Sequence, residues 1–141
     1  MARQLMTIRW YCLLSLLLLS PMAAATEQQE KAAEQAALAW LALVDTARYD
    51  ASWTTAASLF RQQVGTADWV KAVTAARKPL GGLITRKLSS ATYTTRLPGA
   101  PDGEYVVLQF ETHFANKTQA IETVTPMMDG GRWRVAGYYV R

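Results

Sequence analysis

Glu104-Tyr105-Val106-Val107-Leu108-Gln109-Phe110-Glu111-Thr112-His113-Phe114-Ala115 is the stretch that decides the fold. Successive side chains of a strand point to opposite faces, so Val106, Leu108, Phe110 and Phe114 share an apolar face while Tyr105, Gln109, Glu111 and His113 lie on the other. Before it, Leu83 to Leu97 is rich in Thr, Ser and Tyr and reads as a long strand, irregular at Ser89-Ser90. Two prolines and two glycines make Pro98-Gly99-Ala100-Pro101-Asp102-Gly103 the loop between them. After it, Asn116-Lys117 reads as a short turn, Thr118 to Met128 as a third strand and Asp129-Gly130-Gly131 as a hairpin turn. Arg132 to Val140 is the last strand, with Trp133, Val135 and Tyr139 on its apolar face and Tyr138 on the other. Connections this short make an antiparallel meander.

The half of the chain before Leu83 has helical periodicity instead. Ala33, Ala37, Trp40, Leu41 and Val44 recur every three or four residues, which predicts a helix from Glu27 to about Ala47 with Thr26 as its cap. A second helix capped by Asp50 buries Trp53, Ala57, Phe60 and Val64 and stops at Gly65. A third, capped by Thr66, turns Trp69, Val70 and Val73 inward and ends at Lys78-Pro79. Three N-terminal helices packed on a curved four-stranded antiparallel meander define an α+β domain.

The first 25 residues read as a cleaved export signal. Arg3 and Arg9 precede the apolar run Trp10 to Leu19, and Ala23-Ala24-Ala25 is the small-residue pattern that places cleavage between Ala25 and Thr26. The apolar run is shorter than the roughly 20 residues a spanning helix needs, so no membrane span is expected after cleavage. Residues 26–141 then form a single domain outside the cytoplasm, in a periplasm or secreted. The sole cysteine, Cys12, leaves with the leader, so the domain has no disulfide. Arg3 and Arg9 leave too, which halves the formal charge of +4. The remaining basic residues are scattered, and nucleic-acid binding needs them clustered.

The segment Leu97 to Tyr105, the strand ending Phe114-Ala115-Asn116-Lys117, the run Glu122-Thr123-Val124-Thr125 and the stretch Gly131-Arg132-Trp133-Arg134-Val135-Ala136-Gly137-Tyr138-Tyr139, in that order, resemble the family catalogued as domain of unknown function 4019. With Trp53 and Pro79-Leu80-Gly81 the resemblance extends over nearly all of residues 26–141. It implies a small bacterial exported or envelope protein with an NTF2-like or cystatin-like cone, and it carries no catalytic residues across.

Candidate chemistry is sparse. His113 and Glu111 share a strand face and form a possible acid–base pair, but the apolar residues define the opposite face as the inner one. Glu122 either points into the cone as a buried carboxylate, a starting point for catalysis or ligand anchoring, or pairs across strands with Arg132, Arg134 or Arg86. The ion pair is the expectation. Trp40, Trp53, Trp69 and Trp133 suit a core, and Trp53 and Trp133 with Tyr138 are the candidates for a ligand wall. Met127-Met128 with His113 falls short of a metal set, and no cofactor motif is present. The expected function is a non-enzymatic module binding a small apolar ligand or an envelope protein. The alternatives are a small cavity enzyme of isomerase or hydrolase type, using Glu122 with a tyrosine or His113, and an oligomeric scaffold joined through an exposed sheet face.

Overall fold

A computed structural model of the chain describes residues 20–141. The leader features Arg3, Arg9, Cys12 and Trp10 to Leu19 lie outside the described residues. Helices α1 (Pro21–Asp45), α2 (Tyr49–Thr55), α3 (Ser58–Gln63) and α4 (Thr66–Arg77) come first, and a single 3-10 turn (Lys78–Leu80) closes the helical half. Strands β1 (Leu83–Thr94), β2 (Tyr105–Phe114), β3 (Lys117–Asp129) and β4 (Arg132–Val140) pair antiparallel in the order β1-β2-β3-β4. The expected α+β meander is therefore the architecture, with α1 lying against all four strands.

Differences from expectation are local, and each has a physical cause. Helix α1 begins at Pro21, where a first-turn proline loses no hydrogen bond. Thr26 lies inside the helix, and its hydroxyl donates to the Met22 carbonyl at 3.1 Å instead of capping. Neither Asp50 nor Thr66 caps. Asp50 sits in the first turn of α2, and Thr66 is the first residue of α4 without a side-chain capping bond.

The expected single helix from Asp50 to Val64 is two helices, because Ala56 and Ala57 are extended, at ψ 164° and 150°. Tertiary bonds outweigh local propensity there. The Ala57 N–H donates to the Val135 carbonyl on β4 at 2.8 Å, while the Ser58 N–H and hydroxyl donate to Asp129 Oδ2 at 2.7 and 2.9 Å. An uninterrupted helix would spend the Ala57 and Ser58 donors on its own ladder.

A bulge governs β4. Thr125 faces Gly137 and Pro126 faces Val135, so Ala136 is an extra residue without an opposite number. Pro126 has no N–H to offer the ladder, which favours a bulge at this point. Beyond it the alternation reverses. Tyr138, expected on the outer face, turns inward against Trp40 at 5.4 Å between ring centroids, and Tyr139, expected inside, is 61% exposed. On β1 the register shifts between Leu88 and Ser90, at the expected irregularity. Tyr105 belongs to the outer face of β2 but is buried. Its hydroxyl donates to the Pro101 carbonyl at 2.6 Å, so the Pro98–Gly103 loop covers it.

Val106, Leu108, Phe110 and Phe114 are all buried, as the alternation requires. Phe110, Leu108 and Val106 pack beneath Trp40, Leu41, Val44 and Trp69. Burial of each large side chain contributes roughly 1.5–3 kcal/mol. Trp53 and Trp133 are only half-buried at the margin of this core.

Buried Ser52 ties the tryptophans to α2. Trp69 Nε1 donates to its hydroxyl at 2.9 Å, Trp40 Nε1 donates to its carbonyl at 2.8 Å, and the hydroxyl donates to the Tyr49 carbonyl at 2.7 Å. Ser52→Ala should cost about 1–2 kcal/mol, because the Trp69 indole N–H loses its acceptor in a dry site. Urea unfolding should show a lower midpoint with an unchanged slope.

Candidate functional site

Glu122 on β3 is the centre of a buried polar cluster. Ala120, Glu122, Val124 and Pro126 alternate inward, so the carboxylate enters the apolar layer beneath the helices. Arg86 on β1 faces Thr112 on β2, which in turn faces Ala120 on β3. The small side chains of Thr112 and Ala120 leave room for Arg86 to reach across a strand. Its Nε donates to Glu122 Oε1 at 2.7 Å, and the Thr112 hydroxyl donates to the same oxygen at 2.7 Å. The Tyr138 hydroxyl, turned inward by the bulge, donates to Oε2.

The far end of Arg86 continues the cluster. Its Nη1 and Nη2 donate to Asp45 Oδ2 and Oδ1 at 2.8 and 2.9 Å, a bidentate arrangement that fixes the guanidinium plane. Arg77 Nη2 also donates to Asp45 Oδ1 at 2.8 Å, and its guanidinium carbon stacks 4.7 Å from the centroid of the Phe114 ring. Two carboxylates and two guanidiniums thus balance in charge. They join the C-terminal ends of α1 and α4 to the three strands β1, β2 and β3. Of the three ion-pair partners considered for Glu122, Arg86 is the one found. The carboxylate is both inward-pointing and paired.

Burial and the neighbouring charges act against each other on Asp45 and Arg86. Burial raises the Asp45 carboxyl, but the combined hydrogen bonds and charges of Arg86 and Arg77 outweigh it and hold Asp45 below the usual carboxylate range. Burial works against the Arg86 charge as well, and bonds to Asp45 and Glu122 reverse that and hold it firmly cationic. Burial pushes the Tyr138 phenol well above its ordinary value and the adjacent Glu122 charge pushes it further, so Tyr138 remains a donor. Asp129 is lowered by the Ser58 N–H and hydroxyl.

A group whose folded pKa is depressed stabilises above its unfolded pKa, and that stability is lost as pH falls through the folded value. Both Asp45 and Asp129 are of this kind. The urea midpoint should therefore hold down to about pH 4, near the free carboxylate value, and fall steeply below it. Asp45→Asn should lower the midpoint at neutral pH and flatten that acid limb. An unchanged acid limb would deny Asp45 its part.

His113 and Glu111 lie on the opposite face of β2 from this cluster. Glu111 is exposed and His113 half-buried, both beside an open outer cleft of about 700 Å³ shared with Thr85, Lys87 and Gln119. The structure therefore brings Tyr138 to Glu122 but not His113. A second cleft of about 780 Å³ runs along α4 and the 3-10 turn, and a third of about 290 Å³ separates α1 from β4. Glu122 lines none of the three. Among the described residues no set of three His, Cys, Asp or Glu side chains could hold a metal ion, and no helix is long and apolar enough to cross a membrane.

Residues 36–138 match the family described as "Protein of unknown function (DUF4019)". The chain belongs to the DUF4019 family. No curated protein and no solved structure matches it significantly. The DUF4019 match takes in Asp45, Arg77, Arg86, Thr112, Glu122 and Tyr138, so the whole buried cluster falls within it.

Asp45, Arg77 and Thr112 were not among the sequence candidates, yet each had a readable signal. Arg77 follows Val73 and Trp69 at four-residue spacing, Asp45 follows Leu41 and Ala37 likewise, and Thr112 alternates with Phe110 and Phe114. A polar residue in phase with a buried stripe needs buried partners.

Proposed function

We propose that this DUF4019 chain is an exported, non-enzymatic envelope domain that binds a small apolar ligand or a protein partner at its surface. One observation carries the reading: Glu122 has zero exposure and both its oxygens are occupied by donors. A general base must reach a substrate proton, and this carboxylate is committed to holding β1, β2 and β3 together. Tyr138, the other half of a possible acid–base pair, is committed to the same carboxylate. The space left for a ligand is in the open clefts. Export rests on the Arg3, Arg9 and Ala23-Ala24-Ala25 pattern, and the order of helices followed by a meander supports a cystatin-like or NTF2-like kinship.

Native mass spectrometry of the protein purified from its own compartment tests the reading. The expected species starts at Thr26 and carries a bound molecule or partner chain. A substrate turnover that disappears in a folded Glu122→Gln variant would overturn it in favour of the cavity enzyme.

A further inference from the structure

An amphipathic helix packed on a sheet should turn polar toward solvent. From Leu38 to Leu43 α1 does not: Leu38 is 40% exposed, and Ala39 and Ala42 are exposed as well. This apolar flank runs into the groove between α1 and β4, whose volume is about 290 Å³. Ala36, Ala39, Trp40 and Leu43 line one side, and Trp133 and Val135 line the other. Arg132 and Arg134, which also line it, form no ion pair and no side-chain hydrogen bond among the described residues. The hairpin's carboxylate, Asp129, accepts from the Ser58 N–H and hydroxyl and feels the Arg134 charge without forming an ion pair with it, so one carboxylate stands near two arginines. No acidic residue lines the groove. The α4 cleft differs, because an acidic residue, Asp50, lines it along with Lys71 and Lys78 and no aromatic side chain does.

We propose that the α1–β4 groove binds a free medium-chain fatty acid, its chain along Leu43, Trp40 and Trp133 and its carboxylate at Arg132 and Arg134. This rests on the surface-binding reading above and names its ligand. The volume is at the small end of ligand sites, which suits a single chain. Ala36 to Leu43 spans about 10 Å of helix at roughly 1.5 Å per residue. An extended chain advances about 1.2 Å per bond, so the groove matches a chain of eight to ten carbons, roughly. Guanidinium groups are suited to bidentate carboxylate recognition, and an apolar groove with a cationic rim of two arginines selects an anionic amphiphile over a cationic one of equal tail.

Titration of the purified protein with decanoate, followed by calorimetry and tryptophan fluorescence, tests this. Saturable one-to-one binding is expected, with decyltrimethylammonium weaker by at least about tenfold. Arg132→Glu with Arg134→Glu should weaken decanoate and strengthen the cation. Ala39→Phe, which fills the groove from an exposed helix position, should weaken both, and circular dichroism should show each variant folded. Equal affinity for the two amphiphiles, indifference to Ala39→Phe, or absence of saturation overturns the proposal. Binding to anionic phospholipid vesicles without binding of free decanoate overturns it as well, in favour of a membrane surface. If decanoate fails while native mass spectrometry finds a bound molecule of other chemistry, the fatty-acid assignment falls and the binding-module reading stands.

Discussion

Glu122→Ala is expected to destabilise the domain by about 3–5 kcal/mol, the usual consequence of removing one member of a buried ion pair. Three donors lose their acceptor at once: Arg86 Nε, the Thr112 hydroxyl and the Tyr138 hydroxyl. Arg86, whose side chain is 8% exposed, is left with excess positive charge that Asp45 alone cannot balance while Asp45 also serves Arg77. Domains of this size have a total stability of about 5–15 kcal/mol, so a large part of it is at stake. Chemical denaturation of the purified variant measures the loss directly. Glu122→Gln should cost less, because an amide oxygen can still accept from Arg86 or Thr112. A loss below about 1 kcal/mol for the alanine variant would mean that the cluster is structurally idle.

Arg86→Met should cost a comparable amount, about 3–5 kcal/mol, by the reverse route. It leaves two carboxylates, Glu122 and Asp45, in an apolar layer with Arg77 as the remaining cation, and Arg77 reaches Asp45 only. The methionine fills much of the volume of the arginine stem, so packing loss is a minor part. Combining Arg86→Met with Glu122→Ala removes a cation and an anion together. The double variant should be more stable than the sum of the single losses implies, by a coupling of about 0.5–3 kcal/mol. Strict additivity in the double-mutant cycle would show that the two side chains do not act as a pair.

How far the sequence foretold this molecule depends on what each residue signals. The meander was legible because Val106, Leu108, Phe110 and Phe114 leave one assignment of faces, and because short connections force antiparallel neighbours. Helix α1 was legible from its stripe. Failures arose where a long-range bond overrode a local pattern. The break at Ala56-Ala57 depends on an acceptor on β4, seventy-eight residues after Ala57. The inward turn of Tyr138 depends on the extra residue Ala136, inserted between the partners of Pro126 and Thr125, which an alternation count cannot contain. For Glu122 the sequence offers two readings, a buried carboxylate or an ion pair. It is both, because Arg86 reaches it across Thr112. Asp45, Arg77 and Thr112 are less legible, because a stripe is defined by its apolar residues and these three are polar side chains in phase with it.

The bond from the Ala57 N–H to the Val135 carbonyl bears on how molecules of this chain meet one another. β4 ends the sheet, and an uncovered terminal strand invites a neighbour to continue the ladder. Here the entry to α3 occupies the middle of that strand, pinned by Ser58 to Asp129. At the opposite border, β1 is interrupted by two register shifts and carries Lys87. Strand-to-strand accretion at the β4 border therefore first requires α3 to detach, a local opening well short of unfolding. The helix break that spoils one regular element is thus also what covers one of the sheet's two borders.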